Sequence, residues 1–494
     1  MNFLEGLLLG FQTCLTPENF IFCLIGVSLG TAVGVLPGLG PTASIALLLP
    51  ITYKLDVTAS LIMLSGIYYG AMYGGSITSI LINIPGEAAS IVTCIDGYRM
   101  ARKGRAGAAL GISAFGSFIA GTFGVAACTL FAPLLAKVAL KIGPPEYFMI
   151  VIIGLTFVTY VASTSTLKAL IMVVAGLIIG CIELDPIYGS ERFMYGFQYL
   201  SDGINLAVLA MGLFGIAEVL TMSEKPVEQK DILAADTSIR NLLPNREEWR
   251  RSAGPIGRGT LIGFFFGLIP GGTAIIASFA SYIMEKRLSK NPAEFGNGAI
   301  EGVAGPEAAN NAASQGAFIP LLILGIPSNA IMAVVLGGIM LHGVTPGPFL
   351  YRDYPQLFWG LICSMYLGNF LLVILNVPLI RVFVSILKVP YSILSSLILI
   401  FCFMGAYSIH NNPTDMIMVA IFGIIGYLLR RLEFETAPLL LAFVLGPILE
   451  KSFRQSLLMG AGNPLIFFRP IAREIFILWL VILIYPIIFA RHRT

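Results

Sequence analysis

Charge is what this sequence has least of. Lys and Arg number 30 and Asp and Glu 27, so charged residues make up 12% of the 494 positions, against about 25% in an ordinary soluble domain. So few charges cannot dress the surface of a soluble fold of this length. They are also clustered: no Asp, Glu, Lys or Arg occurs from Asn19 to Tyr53, from Ala106 to Ala136, or from Ala308 to Tyr351. Histidine is scarce as well. His342, His410 and His492 lie far apart, and there is no HExxH, no P-loop string ending in GKS or GKT, and no Ser/His/Asp motif order. These absences speak against metalloprotease, hydrolase and P-loop ATP chemistry, and the chain reads as no enzyme. Cys14, Cys23, Cys94, Cys128, Cys181, Cys363 and Cys402 stand singly, without a CxxC pair or metal-ligand spacing, and read as small packing residues. The opening MNFLEGLLLGFQTCLTPENF lacks a basic n-region and carries Glu5 in its first apolar run. It predicts a short interfacial helix rather than a cleaved signal peptide.

What the sequence has instead is apolar length, at 57% hydrophobic residues. A hydrocarbon core of ~30 Å takes about 20 apolar residues per helix. The charge-free stretches, together with Tyr354–Ile380 and Ile475–Ala490, predict an all-α polytopic membrane protein with about ten to twelve membrane helices. Three basic clusters, Arg99–Arg105, Arg246–Arg258 and Arg491 with Arg493, belong in the cytoplasm by the positive-inside rule. The net charge of +3 is small, and nucleic acid is not among the expected partners.

One polar segment, Ser223 to Arg258, interrupts the pattern. It predicts a cytoplasmic linker (223–258) between a first half, 1–222, and a second, 259–494. The halves share an order of Pro/Gly breaks. GVLPGLGPTASIALLLPITY precedes YGGSITSILINIPGEAAS in one, and GLIPGGTAIIASFASY precedes GAFIPLLILGIPSNAIMA in the other. Pro37–Gly38 matches Pro270–Gly271, Thr42 matches Thr273, and Ile84–Pro85 matches Ile326–Pro327. The breaks thus fall at 37–41 and 85–86, and at 270–272 and 327–328. About 12 apolar residues follow each first break, ~18 Å of helix, enough for half a bilayer. Such pieces predict re-entrant or discontinuous helices. Lys54 stands where the second half has Lys286, Arg287 and Lys290, and Arg99–Arg105 stands where it has only Arg352 beside Asp353. This swap predicts two inverted-topology repeats.

The breaks also carry chemistry. A helix starting at Gly40-Pro41-Thr42 directs free N–H groups and the positive end of its dipole into the break. Gly38 and Gly40 allow close approach, and Thr42 and Ser44 add hydroxyls; Gly271, Gly272 and Thr273 repeat the arrangement. These seven residues are the expected substrate contacts, for an anion. The alternative is that the Gly/Pro residues only kink helices or let them pack closely. The second breaks supply Asn83, Glu87, Ser328 and Asn329, and GPEAANNAASQG supplies Glu307, Asn310 and Asn311. These are the expected ion-coupling residues, with Asn83, Asn310 and Ser328 as oxygen ligands for Na⁺. An ionisable residue inside the membrane costs at least ~2.5 kcal/mol. For Glu87 the alternative is a helix N-cap, and for Glu307 interhelical hydrogen bonding. His410, in SIHNNPTD, reads as a turn or interface residue rather than a proton relay.

The strings LPGLGPTASIALLLPITY, YYGAMYGGSITSILINIPGEAASIVTCIDGYRMARKGRAGAALG and GVAGPEAANNAASQGAFIPLLILGIPSNA together resemble the large permease subunit of bacterial tripartite tricarboxylate transporters. The likeness runs from GLLLGF to near the C-terminus. It departs from the duplicated pattern where GLIPGGTA lacks the Pro-Thr pair of GLGPTA. The resemblance implies a multi-pass permease of the bacterial inner membrane, working with a small membrane subunit of about four helices and a periplasmic solute-binding protein. It also implies secondary active uptake of di- or tricarboxylates such as citrate. No cofactor is expected beyond co-transported Na⁺ or H⁺. A passive carboxylate channel, or a permease energised by a separate ATPase, is the competing function.

Overall fold

The computed structural model describes residues 3–36, 39–161, 165–224, 238–269, 271 and 273–490. Nearly all regular structure in them is helical; one two-stranded hairpin pairs Glu183–Leu184 with Glu191–Arg192. Among the described residues seven helices are long and apolar enough to cross a membrane. That is fewer than ten to twelve because five further apolar helices have only 10–17 residues. Pro41–Thr52, with 12 residues, and Ala330–Leu341, also with 12, are two of them, each following a break. A Phe3–Cys14 helix forms at the N-terminus and packs against Pro355–Asn376, with Phe3 edge-on to Trp359 at 6.2 Å.

Two helices lie at the centre. Val57–Ile82 is buried from Thr58 onward, and Glu301–Gly316 from Gly302 onward. Both stop at a residue in the left-handed region, Asn83 (φ 57°) for the first and Gly325 (φ 64°) for the continuation through Phe318–Leu324. A left-handed residue ends a helix by turning the chain away from its axis.

The central helices are gripped in the same way. A Cβ added at Gly26, Gly30 or Gly34 would come within 3.0 Å of the carbonyl oxygens of Met63, Ile67 and Ala71; one at Gly259, Gly263 or Gly267 would meet those of Gly305, Ala309 and Ala313. Spacing by four puts each trio on one helix face, and the missing side chains let backbones touch. Pro37 to Pro270 is a shift of 233 positions, and the same shift carries the first glycine trio onto the second. Pro85 to Pro327 is a shift of 242, which carries Met63, Ile67, Ala71 and Asn83 onto Gly305, Ala309, Ala313 and Gly325. The packing is exchanged between halves. Pro355–Asn376 lies on Val57–Ile82 and Ala106–Ala139 on Glu301–Gly316, while Ala330–Leu341 packs on Pro41–Thr52 and Ala88–Ser90 on Ala274–Leu288.

Basic segments of both halves meet. Lys103 Nζ donates to the Asn297 carbonyl at 2.6 Å, Arg105 pairs with Glu248 at 3.0 Å, and Arg251 pairs with Glu294 and Glu301. Of the segment expected as a linker, residues 225–237 lie outside the described residues. Its later part begins the Arg246–Leu268 helix, which runs unbroken past 258 and starts on a capping box between Asn245 and Glu248. The apolar pattern pointed to the second half of that helix; the cap lies among its charges.

Candidate functional site

The breaks within each half adjoin one another. Gly271 N donates to Ser328 O at 2.9 Å. In the first half Gly86 lies so close to the Gly34 carbonyl and Thr78 that no Cβ fits between them. Gly271 has φ 81°, and an added Cβ there would stand 2.9 Å from the Phe157 Cβ, so glycine is required on both counts.

Glu307, 1% exposed, sits on the second central helix, yet its carboxylate is held by the first half. Oε2 accepts from Ser76 Oγ at 2.5 Å and Ser113 Oγ at 3.1 Å, and Oε1 accepts from Thr93 Oγ1. One turn on, Asn310 Nδ2 donates to Glu87 Oε1 at 3.0 Å, and Asn311 Nδ2 donates to Ser117 Oγ at 2.6 Å. Glu87, 7% exposed, is also an N-cap, its Oε2 accepting from Ala89 N at 2.6 Å. The capping role and the buried polar contact therefore coexist. No Lys, Arg or His among the described residues pairs with either carboxylate. Burying an ionised carboxylate carries an effective penalty of several kcal/mol, so hydroxyl and amide donors alone leave a charge for a cation or proton to balance.

The remaining expected residues divide. Ser328 is fully buried, with an Oγ that has no partner among the described residues, as do Asn310 Oδ1 and Asn311 Oδ1. Asn329 caps the helix after its break by accepting from Met332 N at 2.9 Å, and its Nδ2 donates to Tyr68 OH at 3.2 Å. Asn83 is exposed and ends its helix in the left-handed conformation. At the tips, Gly40 has nothing within 4 Å of where a side chain would stand, and Thr42 beside it is half-buried. Ser44 turns back, its hydroxyl donating to Gly40 O at 3.1 Å. Thr273 caps its helix through Ile276 N at 3.4 Å. Gly38 and Gly272, with Pro37 and Pro270, lie outside the described residues.

Sequence reasoning passed over Tyr68, Ser76, Thr93 and Ser113, the groups that meet Asn329 and Glu307. Hydroxyls recurring in the glycine-rich strings YYGAMYGGSITS and GISAFGS were the available signal. It also passed over Asp96, which is fully buried. Asp96 Oδ1 accepts from the backbone N–H of Gly296, Gly298 and Ala299, and Oδ2 accepts from Tyr282 OH at 2.9 Å. That clamp ties the first half's basic segment to a loop of the second.

A cavity of about 720 Å³ reaches the second half's last break at Gly325 and is lined also by Pro346, Gly347, Arg352, Lys451 and Gln455. Among the described residues no group of three or more His, Cys, Asp or Glu gathers as a metal site. The oxygens on offer are hydroxyls, amides and isolated carboxylates.

Comparison with known proteins agrees with this membrane architecture. The chain is 52% identical over 476 residues, 96% of its length and 94% of the relative's, to an uncharacterized 52.8 kDa protein in the TAR-I ttuC' 3' region of Agrobacterium vitis. A second relative from that organism, an uncharacterized protein in the TAR-II ttuC' 3' region, is 54% identical over 223 residues, 45% of this chain and 92% of that protein. No solved structure matches. The family model for the tripartite tricarboxylate transporter TctA family matches residues 20–441. With seven candidate spans among the described residues and a match over most of its length, the chain is a multi-pass membrane transporter component rather than an enzyme, and it belongs to the tripartite tricarboxylate transporter TctA family.

Proposed function

We propose that this chain is the permease of a cation-coupled uptake system for di- and tricarboxylates such as citrate. It sits in the bacterial inner membrane, is fed by a periplasmic solute-binding protein, and is accompanied by a small membrane subunit of about four helices. The observation that carries the proposal is Glu307, a carboxylate of one half enclosed by three hydroxyls of the other, with no basic side chain among the described residues to balance it. In this reading substrate carboxylates meet the helix N-termini at Gly38–Thr42 and Gly271–Thr273, since a helix N-terminus offers free backbone N–H groups. A cation is held by the cluster of Glu87, Glu307, Asn310 and Asn311, with Ser328 and Asn329 at the adjoining break. Neutral oxygens outnumber carboxylates there, which suits Na⁺ better than H⁺. Import against a negative-inside potential is opposed by ~2.3 kcal/mol per 100 mV for each unpaired negative charge; cation symport removes that opposition.

The duplicated glycine trios and exchanged packing support two inverted halves. Val57–Ile82 has 26 residues, about 39 Å at 1.5 Å per residue, longer than the hydrocarbon core. Tyr53, just before it, stacks with His342 of the second half at 6.5 Å, whereas the basic segment after its break meets Asn297 and Glu248. This reading assigns the basic end to the cytoplasm and makes the cavity lined by Arg352 and Lys451 the periplasmic approach.

The test follows labelled citrate in cells carrying the chain and its two partner proteins. Accumulated citrate should leave when an ionophore collapses the Na⁺ gradient. Equilibration with citrate's own gradient alone would favour a passive channel, and loss of uptake on ATP depletion at constant ion gradients would favour an ATPase partner.

A further inference from the structure

Beside Glu307 lies a small cavity of about 10 Å³, room for one water-sized sphere. Its polar lining is Tyr73, Ser76, Ser113 and Asn376. The hydroxyl hydrogens of these groups are committed elsewhere. Ser113 donates to Glu307 Oε2, and so does Ser76 at 2.5 Å, much shorter than its 3.3 Å approach to the Met72 carbonyl. Asn369 Nδ2 serves both the Phe118 carbonyl and Thr122 Oγ1, which fixes its amide with Oδ1 toward Tyr73; the tyrosine hydroxyl must therefore donate, at 2.7 Å. Asn376 Nδ2 donates to the Leu372 carbonyl at 2.9 Å, and its Oδ1, in a side chain only 4% exposed, has no partner among the described residues.

The three hydroxyls thus have only lone pairs left to offer, and Asn376 Oδ1 adds an acceptor with no partner among the described residues. A water has two hydrogens and reaches at most two of these four oxygens, whereas a cation draws on the lone pairs of all four. The adjacent charge is a single carboxylate, which matches a monovalent ion; a calcium or magnesium site takes more. None of the four titrates near neutral pH, so the cavity does not store a proton. We infer that Tyr73, Ser76, Ser113 and Asn376 form an Na⁺ site, with Glu307 as its counter-charge. The site is separate from the Asn83, Asn310 and Ser328 positions that the sequence suggests, and it rests on the cation-coupled reading above.

The experiment measures ²²Na⁺ binding to the purified full-length chain in a K⁺ background at fixed pH. Wild type should bind Na⁺ saturably, and Asn376→Ala and Ser113→Ala should each weaken binding about tenfold or more, ~1.4 kcal/mol. Asn376→Asp, which keeps an oxygen at that position, should retain binding and guards against a folding defect in the alanine variant. Unchanged Na⁺ affinity in both alanine variants would overturn this site while leaving cation coupling intact. A wild-type chain that binds no Na⁺ would overturn the site, and together with uptake driven by neither a Na⁺ nor a pH gradient it would overturn the coupling reading as well.

Discussion

Asn310 donates from Nδ2 to Oε1 of Glu87 at 3.0 Å, joining the central helix of one half to the break of the other. The 242-position shift that relates Pro85 to Pro327 turns Glu87 into Asn329 and Tyr68 into Asn310. Asn329 Nδ2 and Tyr68 OH are themselves 3.2 Å apart. The same cross-half contact is made twice, once with a carboxylate and once without. That difference places a carboxylate on one side only.

Helix packing gives a stability prediction with an internal control. At Gly263 an added side chain meets the Ala309 carbonyl, a backbone group that cannot swing aside, whereas nothing stands within 4 Å at Gly257 on the same helix. Gly263→Val should abolish a monodisperse gel-filtration peak. Gly257→Ala should be neutral or stabilising by up to about 1 kcal/mol, since alanine is the better helix former. Thermal unfolding of the two variants side by side checks the contrast.

Membrane sidedness follows from the exchanged basic ends. Single cysteines placed at Lys54, Lys103 and Arg287 in a cysteine-free background should react with an impermeant maleimide in two classes, with 103 and 287 together and 54 apart. Labelling of 54 and 103 from the same side would remove the inverted arrangement.

Outside the membrane helices, Asp185 anchors the hairpin around Glu183–Arg192. Hydrogen bonding from Arg454 lowers its carboxyl pKa, assisted by the backbone N–H groups of Ile187 and Tyr188. A folded-state value below the unfolded one stabilises the fold at pH above the ordinary carboxyl value of ~3.9, and the contribution is lost as pH falls through the lower folded value. Hydrogen exchange across 183–203 should therefore be insensitive to this group between pH 5 and 8. Asp185→Asn should speed exchange there at neutral pH.

At the helix tips, the hydroxyls of Thr42 and Thr273 can be tested without disturbing Gly271, whose backbone tolerates no side chain. Thr42→Val should raise the KM for citrate severalfold at unchanged expression. Thr273→Val should do the same and also lose an N-cap worth about 1 kcal/mol, which Thr273→Ser should restore. Unchanged KM in both valine variants would move the substrate site elsewhere.

The sequence made the breaks legible because Pro and Gly mark them directly, and it made the short helices legible because Lys54 and Glu285 bound their apolar runs. Glu87, Glu307, Asn310 and Asn311 stood out as polar residues in apolar surroundings, and the fold gathers them. Their partners did not stand out: Ser76, Thr93 and Ser113 are common residues in membrane helices, and only three-dimensional packing brings them to one carboxylate. Asn83 also stops its helix in the left-handed region, a need that looks like the need for an oxygen ligand in sequence. Ser44 also bonds the Gly40 carbonyl, as a hydroxyl one turn into a helix can bond the carbonyl four residues back. The expected ten to twelve membrane helices divide into seven long enough to span and five shorter apolar ones among the described residues, because apolar composition does not report helix length.

Cation-driven accumulation through the buried cluster is tested most directly in proteoliposomes holding the chain and its partner proteins. An inward Na⁺ gradient at equal pH, and separately a pH gradient without Na⁺, are imposed while labelled citrate is followed in wild type and Glu307→Gln. The Na⁺ gradient alone should drive citrate above its external concentration in wild type, and Glu307→Gln should reduce that accumulation at least tenfold while the protein still elutes as a folded species. Accumulation under neither gradient, or Na⁺-driven accumulation undiminished in Glu307→Gln, would contradict the account.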